Sequence, residues 1–231
     1  PLENIGTEEK EILKRDLKYR ILNLDINKEY RNIYKPLIDK YLGVLPSKPD
    51  HPLTIMLSIG GAGAQRELAM KFVKSLSKRI KSKNIKIILS AGNKQAVKNY
   101  FVDRIKKLGF EKNLGNEIEI IFSKNIGTYF KEFNQKLRKT DILWTKPSEL
   151  SFYSGLGLPI IIAPSIGSQE DFNRKWLISL GSGILEENSN YVNQWLFDFL
   201  SSGRFAESAM QGFLEAGSLG THNIIKTCSG S

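Results

Sequence analysis

The sequence predicts an α/β domain built on a mostly parallel sheet that helices cover on both faces. Three observations carry that expectation. Short apolar, β-branched runs recur along the chain, beginning with Leu53-Thr54-Ile55-Met56-Leu57-Ser58, and continuous runs of this kind suit strands buried on both sides. A stretch of helical period lies between each consecutive pair of runs, the alternation that βαβ units produce. With 231 residues and 41% hydrophobic composition, the chain can hold one generous domain with a real core.

Residues 8–42 are charged and helix-prone, with Tyr30, Tyr34 and Tyr41 among their apolar positions, and they run into Pro46-Ser47-Lys48-Pro49-Asp50-His51-Pro52. A proline cluster cannot continue a helix and reads as a linker. The first strand is expected at 53–58, followed by a glycine turn and one helix from 65 to about 81. Further strands are expected at 85–90, 118–122, 141–144 and 159–163, with a helical segment between each pair. Two more helical stretches, 189–201 and 204–217, precede a polar end. The expected organisation is a helical connecting segment over 1–52, a Rossmann-like three-layer domain with C-terminal helices over 53–217, and a polar tail over 218–231.

Composition narrows the function classes. No run approaches the ~20 apolar residues of a membrane span, and the first residues lack the basic flank and apolar stretch of a secretory signal. The single cysteine, Cys228, lies in the polar tail, which argues against a disulfide framework or a cysteine-rich metal site. A cytoplasmic protein is the expectation, and no metal is expected. The net charge of +10 and a pI near 9.5 raise the question of an anionic partner, with nucleic acid, an anionic membrane surface and a nucleotide diphosphate as the candidates, and charge alone does not choose among them. The basic runs at 78–83 and 104–107 fall at predicted helix ends, where cations complement the dipole, so a solvated helix face is their expected role. Nucleic acid is the weakest candidate, because no stretch interleaves aromatic and basic residues at a stacking spacing. Trp144, Trp176 and Trp195 suit core or interface positions.

In open parallel sheets ligands bind outside the carboxyl ends of the strands. Three loops there carry candidate chemistry. In Ser58-Ile59-Gly60-Gly61-Ala62-Gly63-Ala64-Gln65, Gly60, Gly61 and Gly63 would let the backbone approach a phosphate at a helix start. The spacing is neither a strict GxGxxG nor a Walker loop, and a tight βα turn uses glycine for steric reasons as well. In Thr145-Lys146-Pro147-Ser148-Glu149-Leu150, Ser148 reads as an N-cap. The functional alternative puts Lys146 or Ser148 on a phosphate and Glu149 on ribose hydroxyls. In the third loop, which follows residues 158–163, Gln169 and Asn173 are four apart, so one helical face would present both amides to a sugar. Glu170 and Asp171 fall in the first turn of that helix, where acidic residues also serve as ordinary dipole partners.

Together these loops resemble the carboxy-terminal domain of GT-B glycosyltransferases of the group containing monogalactosyldiacylglycerol synthases and the lipid II-forming N-acetylglucosaminyltransferase. The resemblance runs from about Leu53 to Ile184 and is most specific in Gly157-Leu158-Pro159-Ile160-Ile161, Gln169-Glu170-x-x-Asn173 and Gly181-Ser182-Gly183. It is similar to that family's GLPII, GQExxN and GxG run. It implies one half of a GT-B fold that binds a UDP-sugar donor, with no cofactor. The residues from Gly60 to Gly63 and Ser148 would lie near the diphosphate, the Ile126 backbone at the uracil, Glu149 at the ribose, and Gln169, Glu170 and Asn173 at the sugar. Transfer would be metal-independent, with helix N-termini stabilising the leaving diphosphate.

Two departures accompany the resemblance. The segment around Thr145-Lys146 is about two residues shorter than the family's glycine-rich stretch, and Phe152 falls where the ribose glutamate is expected, with Glu149 one turn earlier. The family's amino-terminal domain, which binds the acceptor and supplies the catalytic base, has no counterpart in this length. The resemblance therefore implies a fragment, or a subunit completed by an acceptor-binding partner. No catalytic base is assignable, since His51 in the linker and His222 in the tail are expected to be surface histidines. The alternative is a non-catalytic binding domain that keeps this fold and has lost donor binding. A nucleotide-sugar epimerase of related architecture would need catalytic carboxylates and a histidine that the sequence does not place.

Overall fold

The computed structural model describes residues 7–58, 65–146, 150–164 and 168–216, with the backbone alone at 7–10, 150, 151, 168 and 169. Three helices come first: α1 (Thr7–Leu24), α2 (Glu29–Ile33) and α3 (Lys35–Tyr41). The alternating part then runs β1 (Leu53–Ser58), α4 (Arg66–Ser75), α5 (Ser77–Lys81), β2 (Ile85–Gly92), α6 (Gln95–Lys107), β3 (Ile118–Phe122), α7 (Ile126–Leu137), β4 (Ile142–Thr145), α8 (Leu150–Gly155), β5 (Ile160–Ile162), α9 (Ser168–Leu180) and β6 (Gly183–Leu185). Helices α10 (Val192–Ser201) and α11 (Arg204–Glu215) close the described chain.

All six strands are parallel, in the order β3-β2-β1-β4-β5-β6. The expected α/β, Rossmann-like class is therefore the observed one, and this order places the reversal of direction between β1 and β4. Register aligns Ile55 with Ile87 on one side and Ile142 on the other. Alternation along these strands then feeds two cores. Ile55, Leu57, Ile87, Leu89, Ile142 and Trp144 pack with Phe72 and Val73 of α4, Phe101 and Ile105 of α6, and the inner faces of α1, α10 and α11. Met56, Ile88, Ile121 and Leu143 point the other way, onto Phe133 and Leu137 of α7. Ile160 and Ile162 meet Leu177 of α9 on that second side.

Three expectations need correction. The single helix expected over 65–81 breaks at Leu76, where the Ser77 hydroxyl bonds back to the Lys74 carbonyl and α5 starts afresh. The five expected strands are six, because Gly183-Ile184-Leu185 adds a short edge strand beside β5. His51 is not a surface histidine, since its ring is held between Asp50 (Nδ1–Oδ1 2.5 Å) and the fully buried Asp141 (Nε2–Oδ1 3.2 Å). Asp141 also accepts from the Thr54 N–H at 2.8 Å and the Asn23 amide at 3.0 Å. Burial lowers the His51 pKa, but the hydrogen bonds and charges of Asp141 and Asp50 outweigh it and leave the ring above its ordinary value.

Arg20 of α1 completes this amino-terminal edge. Its Nε donates to the Thr140 carbonyl at 2.8 Å and its Nη1 to the Leu156 carbonyl at 2.7 Å, so α1 ties together the entries to β4 and β5. Buried carbonyls need such donors, and a guanidinium supplies several in one plane.

Candidate functional site

The crevice of a doubly wound sheet lies outside the carboxyl ends of its strands, where the order reverses. Here that is the end of β1, after Ser58, and the end of β4, after Thr145. Lys146 leaves β4 and its Nζ lies 3.5 Å from Glu170 Oε1 in the first turn of α9. This partly buried ion pair joins the loop after β4 to the helix after β5. Residues 24 apart in sequence thus share one site.

Gln65, the residue before α4, makes a second link across the same edge. It is 3% exposed, and its Nε2 donates to the Pro164 carbonyl at 2.7 Å, reaching from the end of β1 to the end of β5. Its buried Oε1 has no hydrogen-bond partner among the described residues. A buried acceptor left without a donor costs ~1–3 kcal/mol, so a ligand or water that donates to it gains by doing so. The sequence showed this residue only as the end of a glycine turn.

At the β3 end, Asn125 caps α7: its Oδ1 accepts from the Thr128 N–H at 3.0 Å. The first-turn N–H groups of Ile126 and Gly127 have no acceptor within their own helix. Ile126 is 53% exposed there. A Cβ at Gly127 would sit 3.3 Å from the capping oxygen, which explains the small residue. Ser90 and Tyr129 share a 2.7 Å hydrogen bond that fixes α7 against the end of β2. From β3 to β5 are four strand spacings, or ~19 Å, so a ligand touching Ile126 and Glu170 together must be elongated.

Glu186, just past β6, is a further carboxylate that sequence reasoning missed. Burial raises its pKa, while hydrogen bonds from Ser189 and from Trp144 Nε1, the latter at 2.7 Å, pull it back. Both oxygens are engaged, so its observed role is to anchor Trp144 across β5. No local pattern marks it, because its partner is 42 residues away.

Of the residues expected at the site, Glu170 and Asn173 lie on α9 and Ile126 on α7, all at the carboxyl edge of the sheet. Gly60, Gly61, Gly63, Ser148 and Glu149 lie outside the described residues, as does the Gln169 side chain. Two glycine motifs sit at the opposite edge. Gly157 takes φ +66° ahead of β5, where a Cβ would come within 2.8 Å of Leu17. Gly181 ends α9 at φ +80°, and at Gly183 a Cβ would meet Leu177 at 2.8 Å and Ile162 at 2.9 Å. Turn geometry and close packing account for these glycines without a ligand.

A family model described as Domain of unknown function (DUF6938) matches residues 46–223. No curated protein matches the chain. Among solved structures, Acinetobacter baumannii MurG is similar at a TM-score of 0.56 and 17% identity, covering 78% of this chain and 50% of that one. The S. aureus MnaA-UDP co-structure is similar at a TM-score of 0.52 and 12% identity, covering 75% of this chain and 44% of that one. UDP-GlcNAc 2-epimerase from Neisseria meningitidis, bound to UDP-GlcNAc, is similar at a TM-score of 0.50 and 10% identity, covering 89% and 51%. The chain thus spans about half the length of the structures it matches, and it has the fold of one half of a GT-B structure. At these identities the likeness is one of fold.

Proposed function

This chain belongs to the family described as Domain of unknown function (DUF6938), and we propose that it is the donor-binding half of a nucleotide-sugar enzyme, with a UDP-sugar as its ligand. The observation that carries the reading is the Lys146–Glu170 pair at the reversal of the sheet, with Gln65 Oε1, which has no partner among the described residues, on the same edge. A cation, a carboxylate and a buried acceptor there suit a ligand with an anionic part and a hydroxyl-bearing part. The complexes of two proteins of like fold with UDP and UDP-GlcNAc support the same ligand class.

In this reading the N–H groups at the starts of α4 and α9 face the diphosphate, and Lys146 adds a positive charge beside it. Glu170 and Asn173 accept from and donate to sugar hydroxyls, and the first-turn backbone of α7 at Ile126 reads the edge of the base. Ser148 stands near the diphosphate, Glu149 at the ribose and Gln169 at the sugar. Charge developing on the leaving diphosphate is met by fixed N–H dipoles, so neither metal nor cofactor is invoked. The acceptor and the group that takes its proton come from a second domain or subunit.

Calorimetric titration with UDP, UDP-glucose, UDP-galactose and UDP-N-acetylglucosamine, with ADP and GDP as controls, tests this reading. Selective binding of uridine compounds, weakened in Glu149→Ala, supports it. No heat up to millimolar ligand sinks it for this chain.

A further inference from the structure

The net charge of the chain is confined to one stretch. Between residues 66 and 108 there are thirteen lysines and arginines against only Glu67 and Asp103, a balance of +11. The other residues carry 21 basic and 22 acidic side chains, a balance of −1. That stretch is α4, α5, β2 and α6, and its helices pack on the same side of the sheet. Lys86 of β2 stands apart and is paired with Glu119 at 2.6 Å; among the others Lys106 pairs with Glu111 at 3.3 Å and Lys107 with Asp103 at 2.9 Å, all four side chains more than half exposed. All but Lys86 belong to one helical layer, and α4 and α6 enclose a groove of about 250 Å³ between them. Lys71, Lys74, Arg104 and Lys107 line it with Met70 and Leu108, against the carboxylate of Glu67.

The chemistry of these cations identifies the partner. All three arginines are stacked on rings: Arg66 and Arg104 lie 4.6 and 5.4 Å from the Tyr100 centroid, and Arg79 lies 3.8 Å from that of Phe197. The arginines and the Tyr100 ring are thereby engaged with one another, so the groups of this face that would stack on a base already have partners. The side chains of Lys71, Lys74, Lys78 and Lys94 have no ion-pair or hydrogen-bond partner among the described residues. Unpaired lysines are mobile point charges that suit a diffuse field of anions better than one bidentate phosphate. None of the exposed large apolar residues falls between 66 and 108, so this face has nothing to insert. We infer that the α4–α6 layer is an electrostatic docking face on which the protein lies against a membrane surface rich in anionic lipid. The face adjoins the crevice at the start of α4 but does not depend on its ligand.

The test is flotation of the whole chain with phosphatidylcholine vesicles, with and without about a third of phosphatidylglycerol, at 0.1 and 0.5 M salt. The expected result is binding to the anionic vesicles alone, lost at high salt, since charge attraction is screened within ~10 Å at 0.1 M. Lys71→Glu/Lys74→Glu/Lys107→Glu is expected to weaken that binding roughly 100-fold or more, at ~1 kcal/mol for each lysine near the surface. Lys40→Glu/Lys131→Glu/Lys175→Glu, with the same change in net charge on exposed residues elsewhere, is expected to leave it nearly unchanged. Equal losses in both variants, no binding to anionic vesicles at 0.1 M salt, or tighter binding to an oligonucleotide than to vesicles would each overturn the inference.

Discussion

His51 Nε2 and Asp141 Oδ1 lie 3.2 Å apart, joining the proline-rich segment to the amino end of β4. Burial acts to lower His51, but Asp141 and Asp50 hold its pKa above the ordinary value; burial also raises Asp141, against the pull of His51, the Thr54 N–H and Arg20. Both groups bind protons more tightly folded than unfolded. Their contributions are therefore full at low pH and are lost as pH rises, for His51 from its unfolded value of about 6.5 through its raised folded value. Asp50 has the opposite sign: burial raises it, but hydrogen bonds from Lys139 and His51 bring it below its ordinary value, so its contribution is lost only in acid. Melting temperatures from pH 6 to 9 are expected to fall more steeply for the wild type than for His51→Gln, and equal slopes would remove His51 from the account. Asp141→Ala, which strands several buried donors, is expected to cost about 3–5 kcal/mol in urea unfolding.

Gly157 and Gly115 separate backbone strain from crowding. Both have positive φ, +66° and +88°, but a Cβ meets Leu17 at Gly157 and nothing within 4 Å at Gly115. Gly115→Ala is expected to cost about 1–2 kcal/mol from the left-handed conformation alone. Gly157→Ala adds about 1–3 kcal/mol of overpacking. Paired urea unfolding curves check the difference, and equal losses would show that Leu17 yields freely.

Trp144 and Glu186 form a partly buried polar contact across β5. Trp144→Phe leaves a carboxylate oxygen without its donor and is expected to lose about 1–3 kcal/mol beyond the packing change. Adding Glu186→Leu removes the stranded acceptor as well. A double-mutant cycle should then give a coupling of at least ~0.5 kcal/mol, whereas strict additivity would mean that the hydrogen bond contributes nothing.

Lys146 and Glu170 are expected to act on different parts of the ligand. Lys146→Ala should weaken UDP and UDP-sugars alike, by about tenfold, because a charge-assisted contact to the diphosphate is worth ~1.5 kcal/mol or more. Glu170→Gln should weaken the UDP-sugar and leave UDP unchanged. Calorimetry with both ligands reads the contrast, and a Glu170→Gln variant that binds UDP as poorly as the sugar nucleotide would assign both residues to one structural clasp.

The sequence by itself determined five of the six described strands and the class of fold. A strand buried on both faces must be a continuous apolar run, and the runs expected from Leu53, Ile85, Ile118 and Asp141 stand within a residue of the observed starts. It also determined that α7 and α9 begin at the carboxyl edge, because each follows its strand by a short loop. Burial and steric preference act over a few neighbouring residues, and a linear pattern records them. The tertiary structure decided what depends on contacts between distant segments. Gly183-Ile184-Leu185 is too short to announce itself and becomes a strand only beside β5. His51 looked like a surface histidine until the start of β4 brought Asp141 against it. The basic runs read as separate helix ends because they are spread over the 43 residues from Arg66 to Leu108, and they came to one face when the crossovers between β1, β2 and β3 laid α4 and α6 on the same side of the sheet. The Lys146–Glu170 pair has the same origin: two adjacent parallel strands end side by side however long the chain between them, so the groups that follow them meet by topology and not by spacing.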